Sequence, residues 1–179
     1  DLDNKTTYIL FPLHYEPEVQ LLSYSAPNSD QLDVIKKISL SLPIGCKLLV
    51  KEHPLMIGRR KSNFLNEIIQ LGNTLIVDPS HNVNKYLKYT NLVVTLGSSV
   101  SIDALMKNIP VITIGSTLAN IFDDQLVTKL DSFENLYQHI KQALSKDLVS
   151  SNAELKILKM MNALKTHCLS VDFYSKVLG

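Results

Sequence analysis

The chain has 179 residues, 45% of them hydrophobic and 20% charged, and its 18 basic and 17 acidic residues leave a net charge of +1. A chain of this length and composition can bury a core of its own, which excludes a disordered or fibrous protein. The balance of charge gives no reason to expect nucleic acid as a partner, and the apolar runs fall far short of the roughly 18 residues of a transmembrane segment.

Five short segments of nearly continuous apolar character predict strands that are buried on both faces. In chain order they are Thr7–Leu13, Cys46–Val50, Thr74–Val77, Leu92–Leu96 and Pro110–Ile114. Apolar residues at helical spacing lie between them, at 32–42, 64–69 and 100–107. This alternation predicts an α/β fold with an open, Rossmann-like parallel sheet and helices on both faces.

The last third of the chain has a purely helical pattern. Asp131 or Ser132 is the predicted N-cap of a helix with apolar residues from Phe133 to Leu144. A second helix is predicted to bury one face, which carries Leu155, Leu158, Met161 and Leu164. We therefore expect one domain over residues 1–179, with a core at about 6–146 that these helices close and a C-terminal helical segment at 151–177.

Four polar turns follow predicted strands, at Pro12–Glu18, Lys51–Pro54, Gly97–Ser99 and Gly115–Thr117. Ligands of open parallel sheets bind beyond the carboxyl ends of the strands. The four turns therefore predict a binding site at one rim of the sheet, and Lys51 and Gly115 are candidate residues of that rim.

Gly97, Ser98 and Ser99 form the turn that is simplest to interpret. Glycine allows a tight turn, and the serines offer hydroxyl and N–H groups at a helix start, where an anion such as phosphate is favoured. The alternative is that Ser98 or Ser99 only caps the helix. Asp103, one turn later, is either a ribose ligand or a solvated helix residue.

His53 precedes Pro54, which keeps the histidine in extended geometry and ends the strand there. An imidazole at this rim can donate a hydrogen bond to a phosphate and stabilise a leaving group. The alternative is a structural histidine whose ring donates a hydrogen bond to a neighbouring backbone carbonyl group.

His14, Glu16 and Glu18 are the third set of candidates, because two carboxylates near a histidine can perform acid–base chemistry. Pro17 separates the two carboxylates, so a close dyad is not expected, and a loop brace is the alternative. His81, His139 and His167 have no matching context and receive no role. The sequence shows no nucleotide-binding glycine signature or zinc-protease motif and predicts no metal or other cofactor.

Together, Tyr8–Glu18, Lys51–Pro54, Val94–Ser99 and Ile109–Ile112 resemble the capsule polysaccharide biosynthesis proteins, a family of bacterial glycosyltransferases that includes the β-Kdo transferases. The resemblance covers about residues 6–117. It implies the C-terminal, nucleotide-binding half of a GT-B glycosyltransferase, with an N-terminal acceptor domain that is absent from this chain.

The resemblance also implies roles for individual residues. His53, Pro54, Ser98 and Ser99 would hold the phosphate and nucleotide of a CMP-sugar such as CMP-Kdo, with Gly97 in the same turn. Glu18 would join His53 in catalysis as the last residue of a Gln-Pro-Glu motif, in which this chain has Glu16 in place of glutamine. The catalytic base would belong to the other domain.

The expected function is therefore donor binding in an inverting glycosyltransferase of the bacterial cytoplasm, inactive as this chain alone. Its partners would be a nucleotide-sugar and, through the other domain, a glycan or lipid-linked acceptor, with any contact to the inner membrane made through partners. Two alternatives are a UDP-sugar epimerase domain and a non-catalytic module that binds a nucleotide or glycan.

Overall fold

The computed structural model describes residues 2–17, 30–122, 124–146, 148 and 153–167. Six strands in these ranges form one parallel sheet in the order β3-β2-β1-β4-β5-β6. They are β1 Thr7–Pro12, β2 Cys46–Lys51, β3 Thr74–Val77, β4 Thr90–Thr95, β5 Val111–Ile114 and β6 Val127–Leu130. The strand order reverses between β1 and β4, and ligands of such sheets bind beside this switch point.

Six α-helices connect or follow the strands in the described residues. They are α1 Gln31–Leu40, α2 Phe64–Ile69, α3 Asn84–Leu87, α4 Val100–Leu105, α5 Leu136–Leu144 and α6 Ala153–His167. Short 3₁₀ turns at Pro54–Met56 and Leu118–Ile121 follow β2 and β5.

The helices cover both faces of the sheet, because successive strand residues point to opposite sides. Ile9 and Phe11 of β1 pack in a buried cluster with α1, α2 and α5. Tyr8 and Leu10 pack in a second cluster with α3, α4 and α6. The predicted fold class, with its five strands, is thereby confirmed.

The sixth strand, β6, is absent from the sequence-based prediction. Its residues Thr128 and Lys129 are not fully buried, so Val127 and Leu130 are too few to form a continuous apolar run. The strand lies at the edge of the sheet and pairs only with β5 among the described strands.

The predicted N-cap of α5 is wrong. The helix begins at Leu136, and its N-cap is Asn135 in the left-handed conformation, with φ 54°. Ser132 instead accepts the backbone N–H of Glu134 at 3.3 Å, which forms a local turn before the helix. Asparagine tolerates the left-handed region better than most residues do, which explains its place there.

The predicted buried face of α6 is also wrong. Leu155, Leu158 and Met161 are about half exposed, whereas Ile157 is fully buried and Met160 packs beside it. The helix is apolar on more than one side, so periodicity alone does not decide which side meets the α4 side of the sheet. The side chain of Leu164 and residues 168–177 of the predicted segment lie outside the described part of the chain.

Candidate nucleotide-binding site

A cavity of about 570 Å³ opens at the carboxyl ends of the strands, beside the switch point between β1 and β4. Its walls come from the segments that follow four strands, at residues 12–14, 51–54, 81–83 and 97–102, and from Leu118 after β5. The parallel sheet thus brings together turns that lie up to about a hundred residues apart in sequence.

His53 lies in the cavity wall, directly after β2 and before Pro54. Its backbone is extended, and its Nδ1 accepts the N–H of Leu55 at 3.2 Å. A neutral imidazole that accepts at Nδ1 carries its hydrogen on Nε2. The ring also packs edge-on against Tyr15, with centroids 6.0 Å apart. His53 therefore has a fixed ring with one N–H donor left for a ligand.

Thr95, the last residue of β4, organises the Gly97–Ser99 turn. Its fully buried hydroxyl accepts the N–H of Gly97 at 3.1 Å and that of Ser98 at 2.9 Å. Gly97 has φ 136°, in the region that favours glycine. These contacts fix the path of the backbone into α4.

Ser98 and Ser99 differ in what their side chains do. Ser98 Oγ accepts the N–H of Val100 at 3.3 Å, so the hydroxyl partly caps α4. Ser99 is exposed, and neither its hydroxyl nor its N–H has a hydrogen-bond partner among the described residues. Ser99 therefore presents a free hydroxyl and a free N–H at the cavity wall.

Lys51 adds a cation to the same wall, although its side chain is buried. Its Nζ donates to the carbonyl oxygens of Pro79 at 2.9 Å and Glu52 at 3.3 Å, and it makes no ion pair within the described residues. Burial lowers the pKa of Lys51 below its ordinary value, against the opposing influence of Asp78 and Glu52. An ammonium group held only by carbonyls favours an anionic ligand nearby.

Two acidic residues, Glu52 in the cavity wall and Glu16 after β1, pair with Arg60, which precedes α2. Arg60 Nε lies 2.9 Å from Glu52 Oε2, and Arg60 Nη2 lies 3.0 Å from Glu52 Oε1. Arg60 Nη1 lies 2.6 Å from Glu16 Oε1, an ion pair without the alignment of a hydrogen bond. Burial alone would lower the pKa of Arg60, but Glu52 and Glu16 together raise it above its ordinary value. One guanidinium group thus pairs with both carboxylates and offsets one of their two negative charges.

Gln31, the first residue of α1, holds the turn after β1. Its Oε1 accepts the N–H of His14 at 2.7 Å, and its Nε2 donates to the His14 carbonyl at 3.3 Å and to the Glu16 carboxylate. Glu16 therefore braces the loop, as one of the two sequence-based alternatives predicts. The side chain of His14 is buried and lies in the cavity wall.

Most of the candidate residues predicted from the sequence meet at this cavity. Those in its wall are His14, Lys51, His53, Pro54, Gly97, Ser98 and Ser99. Glu16, Asp103 and Gly115 lie outside the wall. Glu16 pairs with Arg60, and Gly115 forms backbone hydrogen bonds with the Leu130 carbonyl and the Asn120 side chain. Glu18 lies outside the described residues.

Sequence reasoning missed several residues that build the site. His81, Asn82 and Val83 line the cavity from the turn after β3, where the sequence shows only an ordinary polar turn. Thr95 carried a usable signal, because a threonine that ends a buried strand two residues before a glycine can cap the turn. Gln31 and Arg60 carried none, since their partners are distant in sequence.

The model of the capsule polysaccharide biosynthesis protein family matches residues 1–166. The chain belongs to this family. The family membership inferred from four short motifs is thereby confirmed. No curated protein matches the chain.

The chain is similar in fold to several solved structures. The β-Kdo 2,7-transferase of Thermosulfurimonas dismutans KpsC aligns at 19% identity and TM-score 0.58, over 91% of this chain and 56% of that one. The UDP-GlcNAc 2-epimerase of Methanocaldococcus jannaschii aligns at 18% identity with a TM-score of 0.58, over 91% of this chain and 47% of the epimerase. Anabaena HepE, solved with UDP-glucose, aligns at 9% identity with a TM-score of 0.56, over 89% of this chain and 49% of HepE.

The chain spans about half the length of these structures. Its sheet is one half of a GT-B fold, as the sequence predicted. No helix in the described ranges has the length and apolar character that crossing a bilayer requires.

Proposed function

We propose that this domain binds the CMP-sugar donor of an inverting glycosyltransferase that builds a bacterial capsule or surface polysaccharide. The observation that carries the proposal is the convergence of His53 and Ser99 on one cavity, each with a donor that no described residue uses. The fold and family membership support this class of function, and the choice of donor is the proposed part.

The cavity wall suits a nucleotide phosphate. His53 donates from Nε2, Ser99 donates from its hydroxyl and N–H, and Lys51 adds positive charge to the same cavity wall. Arg60 offsets one of the two negative charges of Glu52 and Glu16, and Lys51 supplies a second positive charge beside them. Each hydrogen bond that involves a charged group contributes about 1.5–3 kcal/mol.

The same donors would assist the transfer reaction. An acceptor hydroxyl attacks the anomeric carbon and loses its proton to a base, while the bond from that carbon to the phosphate oxygen breaks. The nucleotide leaves as an anion, and His53 with Ser99 would stabilise the developing charge. We assign the base and the acceptor site to a second domain, and leave Glu18 as a candidate that contacts the sugar.

A UDP-sugar epimerase domain is the second candidate. The likeness to the Methanocaldococcus jannaschii epimerase supports it as much as the likeness to the Kdo transferase supports the first, since both have a TM-score of 0.58. The cavity chemistry fits either, because both classes of enzyme bind a nucleotide phosphate.

Calorimetric titration of the chain with CMP, UMP and ADP distinguishes these proposals. We expect weak binding with a preference for CMP, and no sugar transfer by this chain alone. A strong preference for UMP would keep the site and favour the UDP-sugar alternative. No binding of any nucleotide would contradict the proposed function, and binding with no turnover of CMP-sugars by the full two-domain enzyme would leave a non-catalytic module.

A further inference from the structure

Arg60 lies outside the cavity wall and joins the turns that carry His14 and His53. Its side chain is 5% exposed and makes a bidentate contact with Glu52, whose side chain is 7% exposed. Arg60 Nη2 also donates to the carbonyl oxygen of His14 at 2.7 Å. One side chain thus binds the turn after β1 and the turn after β2.

The contact with Glu52 extends directly to His53. Glu52 Oε1, which accepts from Arg60, also accepts the backbone N–H of His53 at 2.7 Å. The path from the guanidinium group to the His53 backbone is therefore two hydrogen bonds long. The planar group also packs over the ring of Phe64, the first residue of α2, at 4.8 Å. Arg60 is fixed in turn by a helix.

A buried ion pair of this kind is a poor source of stability, because desolvating two charges offsets much of their attraction. Such a pair instead fixes the geometry of its partners, because the planar guanidinium group forms its two parallel hydrogen bonds in few arrangements. A lysine would supply the charge without the fork. The arrangement at Arg60 therefore serves to hold groups in place.

We propose that Arg60 is a positioning residue of the nucleotide site, which sets the position of His53 through Glu52 and that of His14 through its carbonyl group. This inference rests on the proposed function. Arg60 itself is not part of the cavity wall, so it acts through these residues and does not touch the nucleotide.

The test compares Arg60→Gln with Arg59→Gln, a matched loss of charge at the exposed neighbouring arginine. The readouts are CMP affinity by calorimetry, at a temperature where each variant is fully folded, and hydrogen exchange of the His53 amide. We expect Arg60→Gln to lower affinity at least tenfold and to speed exchange at His53 at least tenfold, with Arg59→Gln unchanged. Arg60→Lys should recover only part of the loss.

A purely structural role makes a different prediction, namely lower stability with wild-type affinity and exchange in the folded variant. That result would overturn the proposal. If Arg60→Gln does not fold, the double variant Glu52→Gln/Arg60→Met decides, because it removes both members of the buried ion pair together. Wild-type CMP affinity in that variant would equally overturn it.

Failure of the proposed function is distinguishable from failure of this inference. If the wild-type chain binds no nucleotide, the proposed function fails, and exchange at His53 still tests the role of Arg60. Unchanged exchange in Arg60→Gln would then contradict the link from Arg60 to the His53 turn.

Discussion

Nδ1 of His53 accepts the backbone N–H of Leu55 at 3.2 Å, and this contact determines which ring nitrogen carries the hydrogen. The contact caps the 3₁₀ turn that follows β2 and leaves Nε2–H as the donor. The local fold and the proposed ligand therefore use opposite nitrogens of the same ring, and a substitution can separate the two roles.

His53→Asn is the substitution that separates them. The asparagine oxygen can still accept the N–H of Leu55, so we expect the thermal unfolding temperature to stay close to that of the wild type. The Nε2 donor is lost, so CMP binding should weaken roughly ten- to a hundredfold. His139→Asn, on α5 away from the cavity, is the control. Wild-type CMP affinity in His53→Asn would show that His53 does not contact the nucleotide.

Ser99→Ala tests the turn after β4. Because the Ser99 hydroxyl has no partner among the described residues, its loss should leave the free energy of unfolding unchanged within about 0.5 kcal/mol. Affinity for CMP should fall by roughly tenfold, measured by calorimetry. Ser116→Ala offers a matched control, since Ser116 is exposed after β5 and outside the cavity wall. Equal affinities in the two variants would count against a phosphate contact at Ser99.

Thr95→Val should weaken both stability and binding. It keeps the shape of a fully buried side chain but leaves the N–H groups of Gly97 and Ser98 without their acceptor. Such a loss costs about 1–3 kcal/mol of unfolding free energy, measured by chemical denaturation. Thr95→Ser, which retains the hydroxyl, should recover most of it. Similar losses in both variants would mean that the methyl group matters and the hydrogen bonds do not.

Lys51 predicts a specific dependence of stability on pH. Burial lowers its pKa in the folded state below the ordinary 10.5, so the unfolded chain holds this proton over a range of pH in which the folded chain has released it. Raising the pH through that range therefore favours the folded state. We expect the unfolding free energy of the wild type to rise relative to that of Lys51→Met as the pH approaches 10.5. A difference that stays constant with pH would contradict the burial of this charge.

The sheet was predictable from the sequence because its central strands are short apolar runs, and the rim followed because parallel strands share one carboxyl edge. That logic located His53 and Ser99 at one cavity. Edge strand β6 was not predicted, because only Val127 and Leu130 of its four residues are buried. The buried face of α6 was predicted wrongly, because apolar residues occupy more than one face of that helix.

The supporting contacts were beyond the reach of sequence patterns. Arg60 meets His14 across 46 positions and Gln31 meets it across 17, and no periodicity relates such pairs. Both are polar residues buried by the fold, and their role depends on how the turns after β1 and β2 come together. The sequence left Glu16 and Glu18 as candidates either for acid–base chemistry or for a loop brace, and the fold engages Glu16 in an ion pair with Arg60.

Mapping of backbone amide chemical shifts by ¹H–¹⁵N NMR as CMP is added to the wild-type chain tests the central claim most directly. If the cavity binds the nucleotide phosphate, the largest changes will occur at His53, Ser98 and Ser99, on the two turns that supply the donors. The cleft at the opposite edge of the sheet, lined by Lys88, Lys107 and Lys146, is the internal comparison, because it offers positive charge without those turns. Changes concentrated at that cleft, with His53 and Ser99 unmoved, would contradict the account.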